Sequence, residues 1–259
     1  MPPSTEQVEA ARALLRETCE LLGEHRDEAV LVGGWVPDVL FPDAGPPHVG
    51  SIDVDLALRL NRLGYERLVT ILRNRGFQQG VSGYEFYRSI SIAEGRAIRV
   101  HLDLLTSEQL DAREFAGLAP RDKPQPVSGA EIAFRDNQLI VVGAGQLRVA
   151  GILAFLVMKS LAMHARHNEK DAYDIHFCLE NYPGQIEALA LLFHPWRGDP
   201  LVEEALAKMA AKFRDEHDDG PRIVADMDRL FDPERRDIRK AQAALRVQEF
   251  LRLAARPAS

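Results

Sequence analysis

Residues 51–60 read Ser-Ile-Asp-Val-Asp-Leu-Ala-Leu-Arg-Leu, and their alternation constrains the fold more than any other stretch of the chain. In an extended strand, residues two apart share a face. Asp53 and Asp55 therefore stand side by side, while Ile52, Val54 and Leu56 point the other way, which predicts a strand with one core-facing side. Two carboxylates held together repel each other unless something positive lies near them. A hard divalent cation bound through oxygen is the fitting neighbour. Upstream, residues 29–32 make a second apolar, β-branched run that ends in Gly33-Gly34. Residues 35–40 predict a short helix. Residues 41–50 hold three of the chain's fifteen prolines and predict a loop.

The flanking patterns extend this core. Ser4 or Thr5, with Glu6 and Gln7, makes a helix start, and Val8, Ala11, Leu14, Leu15, Cys19 and Leu22 recur at helical spacing up to Gly23. Leu63, Leu68, Ile71 and Leu72 predict an amphipathic helix stopped by Gly76. Residues 84–93 and 98–106 alternate as two strands about a Glu94-Gly95-Arg96 turn. Residues 107–130 read as loop or broken structure, and Phe134 with residues 139–142 as a further β element or two. From Val149 the character changes. Residues 150–165, 169–181, 185–193, 201–214, 223–231 and 235–255 predict helices separated by prolines. The expected fold class is α+β: a mixed sheet with flanking helices over residues 1–147, then an all-helical domain over residues 148–259.

Composition narrows the function classes. A net charge of −7 argues against broad, sequence-independent nucleic-acid binding, though not against a local basic groove. Two cysteines far apart in sequence make no disulfide framework and have no metal-ligand spacing, which favours a reducing, cytoplasmic setting. No signal peptide is legible at the N-terminus. The longest apolar run, residues 150–158, is too short to span a bilayer, so no membrane partner is expected.

Two constellations carry chemistry. In Arg99-Val100-His101-Leu102-Asp103-Leu104, Asp103 shares a face with His101, opposite an apolar set. If this strand neighbours the first, Asp53, Asp55 and Asp103 converge on one surface. Three acidic oxygens in one patch suit Mg²⁺, and two ions there would clamp the attacking and leaving oxygens of a phosphoryl displacement. Solvated acids on exposed strand faces are the plainer alternative. Gly33 and Gly34 let backbone N–H groups approach an anion, or simply turn the chain. Ser51 can donate to a phosphate oxygen or cap the loop. His48 and Arg88 are candidate substrate contacts or solvent-exposed groups.

The second constellation lies in the helical half. Lys159 interrupts an apolar helix and must snorkel, pair, or bind an anion. The run Arg166-His167-Asn168-Glu169-Lys170-Asp171-Ala172-Tyr173-Asp174 follows. Asn168 suits an N-cap, with Asp171 in the first turn. Lys170 there opposes the helix dipole and so implies a carboxylate or phosphate partner. Asp171 and Asp174, three apart, share a helix face. With Arg148, Lys159, Arg166 and His167, the region is locally basic in an acidic protein and suits a nucleoside triphosphate or an RNA end.

Together these residues resemble the nucleotidyltransferase superfamily, whose pattern is Gly-Gly or Gly-Ser, an Asp-x-Asp strand, then a third Asp on a later strand. That pattern spans residues 30–106. The second half is similar to the AbiEii-type branch of abortive-infection and toxin–antitoxin nucleotidyltransferases. Its Lys-x-x-Ala helix and following Lys-Asp-x-x-Asp are matched by residues 159–162 and 170–174. The resemblance covers residues 30–180, and the last helices match nothing nameable. It implies an enzyme that moves a nucleotidyl group from ATP, GTP or CTP to an acceptor, with Mg²⁺ on Asp53 and Asp55. Asp103 would complete the metal site or act as base. Gly33, Gly34, Ser51, Lys159 and Lys170 would bind nucleotide, and Asp171 or Asp174 would act in catalysis or position the acceptor. Toxin members modify the acceptor end of tRNA, which implies tRNA and a cognate antitoxin as partners. The loop between Gly34 and Asp53 is longer than usual. Gly33-Gly34-Trp35 through Asp38, with His48, also resembles the aminoglycoside and lincosamide nucleotidyltransferases, which implies a small-molecule acceptor instead. A non-catalytic nucleotide-binding regulator on the same fold is a third reading.

Overall fold

The computed structural model describes residues 4–92, 96–165 and 170–256. The anticipated turn at Glu94-Gly95, the cap at Asn168, and Arg166, His167 and Glu169 lie outside these residues. The described chain divides into two compact units. One comprises the chain up to Asp38 together with Val49–Ala154, and the other comprises Val39–His48 and the chain from Phe155 onward.

The first unit is built on a mixed sheet. Helix α1 (Thr5–Leu22) opens with a reciprocal cap: the Gln7 N–H donates to the Ser4 hydroxyl, and the Gln7 side chain accepts from the Ser4 N–H. The strands are β1 (Ala29–Val32), β2 (Asp53–Leu58), β3 (Gln78–Gln79), β4 (Glu85–Ser91), β5 (Ala97–Thr106), β6 (Gln125–Pro126), β7 (Asn137–Val142) and β8 (Gly145–Ala150). Their order is β3-β4-β5-β2-β1-β8-β7, with β6 paired to β5. β2 runs parallel to β5, β1 parallel to β8 and β6 parallel to β5; the other pairs are antiparallel. Val54, Leu56, Phe86, Val100, Leu102 and Leu104 are buried. Helix α1 packs on β5, β2, β8 and β7, and also contacts α3 (Arg62–Asn74).

Two local expectations give way. Residues 107–130 are not unstructured. They hold α4 (Glu108–Glu114), capped by the Ser107 hydroxyl accepting from the Leu110 N–H, as well as β6 and the first residue of α5 (Ala130–Arg135). Phe134 is therefore helical rather than in a strand. In both helices the apolar face is too short to show a period, and capping and packing define them instead.

The second unit is helical. Helix α6 (Ile152–Ala165) begins at the end of the first unit, where the Asp136 carboxylate accepts from the Ala154 N–H at 2.8 Å. It is followed by α7 (Lys170–Asn181), α8 (Gln185–Leu191), α9 (Pro200–Lys212), α10 (Asp219–Met227) and α11 (Pro233–Ala254). Pro200 and Pro233 start helices rather than separate them. Gly220-Pro221 lies inside the first turn of α10. Proline is favoured there because its missing N–H has no intrahelical partner to lose. Helix α7 contacts α8, α10 and α11, and the run from Asp171 to Leu179 is buried throughout. A helix buried on all sides has to satisfy its polar groups internally. Arg239 of α11 ties the exposed end of α7 to the end of α10, bridging Glu180 at 2.7 Å and Asp228 at 2.6 Å.

Candidate active site

Strand register assembles the acidic face. In the parallel β2–β5 pair, Asp55 lies opposite Asp103 and Asp53 opposite His101. In the antiparallel β4–β5 pair, Glu85 lies opposite Asp103 and Tyr87 opposite His101. All six residues are half-buried, whereas the intervening Val54, Phe86 and Leu102 are buried. Asp53, Asp55 and Asp103 thus share one face, as the alternation requires. Glu85 joins them and takes a hydrogen bond with His101 Nδ1 at 3.0 Å. Glu85 was not singled out from the sequence. Its signal was there in the alternation around Phe86, but the pairing that brings it to Asp103 comes from the sheet.

The side chains around this face are already engaged. The Ser51 hydroxyl donates to Asp53 Oδ1 at 2.5 Å, which assigns Ser51 a carboxylate partner within its own strand entry. Gly33 has φ +71°, and a Cβ built there would fall 1.8 Å from Asp55 Oδ2. The freedom of this glycine is therefore used twice: for a backbone conformation that side chains disfavour, and for the space that the Asp55 carboxylate occupies. Gly33–Trp35 is a 3₁₀ turn, and α2 (Val36–Leu40) that follows is only five residues long. The Arg12 guanidinium holds this turn from α1, with Nη1 2.7 Å from Asp38 and the cation 5.0 Å from the Trp35 ring.

The carboxylates suit a hard cation in donor chemistry and in register. In their present side-chain positions, no three His, Cys, Asp or Glu among the described residues converge as a metal-binding group. Asp53 is turned to Ser51 and Asp55 lies against Gly33, so closing on an ion requires these side chains to rotate.

The second constellation is a buried ionic network inside the helical unit. Lys159 is 6% exposed, and Asp171 and Asp174 are 0% exposed. Lys159 Nζ donates to Asp171 Oδ1 at 2.7 Å and lies 2.8 Å from Asp174 Oδ2. Lys170 Nζ is 3.3 Å from the Asp174 carboxylate, the partner its first-turn position implied. His48, from the loop, places Nε2 2.9 Å from Asp174 Oδ1. Its ring packs against Phe177 and Tyr173, with centroids 4.9 and 5.7 Å away. Burial alone would raise the Asp174 carboxyl, but Lys159, Lys170 and His48 hold it well below the usual carboxylate range. Burial would likewise lower the Lys159 ammonium, and Asp174 and Asp171 hold it above the ordinary lysine range. His48 is thus neither solvent-exposed nor on the acidic face. Arg88 pairs with Glu17 of α1 and lies 4.8 Å over Phe77. Arg148 donates to Asn137 at 3.2 Å.

Comparison with known proteins places the fold. No family model matches the sequence, and no curated protein matches it. A crystal structure of an antigenic nucleotidyltransferase-like protein from Paracoccidioides brasiliensis is similar, with a TM-score of 0.51 at 16% identity. The likeness covers 82% of this chain and 91% of that one. The fold is therefore nucleotidyltransferase-like: a central mixed sheet with flanking helices and a helical C-terminal part. No helix among the described residues is long and apolar enough to cross a membrane.

Proposed function

We propose that this protein is a Mg²⁺-dependent nucleotidyltransferase. The observation that carries the reading is the in-register pairing of Asp55 with Asp103, with Asp53 on the same half-exposed face. Asp53 and Asp55 would hold the ion, and Asp103 would complete the site or take the proton of the acceptor hydroxyl. Bound there, Mg²⁺ would neutralise triphosphate charge and orient the α-phosphate. The chain's own part is positioning. Gly33 gives the Asp55 carboxylate room and Ser51 holds Asp53 until both rotate to the ion, and the strand register holds Asp103 beside them. The acceptor hydroxyl forms a new bond to the α-phosphorus, the bond to pyrophosphate breaks, and the hydroxyl proton passes to base. Catalysis of this kind rests on placement and charge neutralisation.

The acceptor follows from the resemblance of the Lys159–Ala162 and Lys170–Asp174 segments to the AbiEii type, which points to the tRNA acceptor end and to a toxin with a cognate antitoxin. In that reading Lys159, Asp171 and Asp174, paired with one another in the helical unit, would hold that unit together rather than touch nucleotide. The test is label transfer from each α-³²P-labelled NTP, with Mg²⁺, to total RNA, tRNA and aminoglycosides. Transfer to tRNA that is lost in Asp55→Asn and Asp103→Asn is expected. Absence of transfer to every acceptor, with wild type and variants alike, would sink the proposal.

A further inference from the structure

The two edges of the sheet are built differently. Edge strand β3 is two residues long and reads Gln-Gln, with Arg73 and Arg121 beside it. Short, polar edges of this kind resist pairing with another chain. Edge strand β7 is six residues long, reads Asn-Gln-Leu-Ile-Val-Val, and carries neither a charge nor a proline. Leu139 is 49% exposed and Val141 is 70% exposed.

The ladder fixes which way the β7 backbone points. Gly143-Ala144 is a two-residue turn closed by Val142 and Gly145. At the far end of the hairpin the Gly151 N–H donates to the Asp136 carbonyl at 2.9 Å. Antiparallel ladders alternate between bonded and non-bonded pairs. Counting from both ends, the even-numbered residues 138, 140 and 142 bond to β8. The N–H and C=O groups of Leu139 and Val141 are directed to the outside of the sheet, where no strand lies among the described residues.

We propose that β7 pairs antiparallel with β7 of a second copy of this chain, on a two-fold axis at Ile140, giving one continuous sheet. The register is self-consistent. With Ile140 opposite Ile140, Leu139 falls opposite the partner copy's Val141, and Val141 opposite its Leu139. Those are the residues whose backbone groups point outward, so each pair exchanges both of its hydrogen bonds. The same register brings the two exposed apolar residues of each copy together on one face. An uncharged strand is where two copies that each carry a net charge of −7 meet with least repulsion. A strand pair alone buries less than the roughly 1,000 Å² of a stable interface, so the dimer is weak and concentration dependent.

The test uses the full chain and needs no activity. Sedimentation velocity over rising concentration is expected to show a monomer–dimer equilibrium that is lost in Val141→Lys. That residue is on the surface, so its melting temperature should match wild type. Register is read with single cysteines, since Cys19 and Cys178 are both buried. Ile140→Cys places two thiols at a non-bonded pair, with Cα atoms about 4.5 Å apart, a separation that a disulfide spans. Gln138→Cys is more exposed, but its two copies lie four residues out of step, roughly 13 Å apart. Under mild oxidation Ile140→Cys should link faster than Gln138→Cys. A monomer at every concentration, a dimer that survives Val141→Lys, or faster linking through Gln138→Cys would each overturn the proposal.

Discussion

Removing the Lys159 ammonium tests the reading of the buried network. In Lys159→Met the apolar stem is nearly conserved and the charge is lost. At an effective dielectric near 20, contacts of 2.7 and 2.8 Å each correspond to about 6 kcal/mol of attraction. Against that stands the cost of stripping water from each ion, several kcal/mol apiece. Breaking one member out of a buried pair costs about 3–5 kcal/mol, because the remaining charge stays buried. Asp174 keeps Lys170 and His48, which holds the loss within that range. Urea unfolding at neutral pH, followed by far-UV circular dichroism, should therefore show Lys159→Met destabilised by about 3–5 kcal/mol. The pH dependence gives a second reading. The folded Asp174 carboxyl lies below its unfolded value, so its stabilisation is full above roughly pH 4 and is lost as pH falls further. The folded Lys159 ammonium lies above its unfolded value, so its contribution is full below roughly pH 10 and is lost as pH rises through the folded value. The gap between wild type and Lys159→Met should accordingly narrow below about pH 4. A change under about 1 kcal/mol at neutral pH, or a gap that widens in acid, would mean that Lys159 does not hold the buried carboxylates.

Three further outcomes follow from the same geometry. Gly33→Ala forces a side chain into the left-handed region, at about 1–2 kcal/mol, and into the Asp55 carboxylate. Thermal melting should show it costing less in an Asp55→Ala background, and equal costs in both would disprove the contact. Asp55→Asn and Asp103→Asn should abolish label transfer while leaving the protein folded by far-UV circular dichroism; unfolding of either variant would contradict a functional assignment. Asp136→Ala removes the acceptor for the Ala154 N–H and should cost about 1–2 kcal/mol in urea. Asp136→Asn keeps an acceptor and should retain most of that stability.

Local pattern made the strands and their faces legible. A period of two put Asp53 and Asp55 on one side of β2 and Asp103 on the matching side of β5, because the pleat leaves no other choice. The caps at Ser4 and the apolar stripe of α1 were equally readable, being contacts within one turn. The same rules failed over residues 107–130, where short helices carry too few residues to show a period. They also missed the helix-starting prolines, which look like breakers until the N-terminal turn is seen.

Sequence alone determined which residues carry charge, which face of each strand they stand on, that Lys159 has to snorkel, pair or bind an anion, and that Lys170 implies an anionic partner. Tertiary structure decided who those partners are. Strand order brought Asp103 and Glu85 beside Asp55, and nothing local encodes which strands pair. Burial turned Asp171 and Asp174 from free carboxylates into counter-ions for Lys159, with Lys170 and His48 also on Asp174, because a charge excluded from water has to be paired. Gly33 is the sharpest case. Its sequence context promised close backbone approach, and the fold decided that what approaches is the chain's own Asp55.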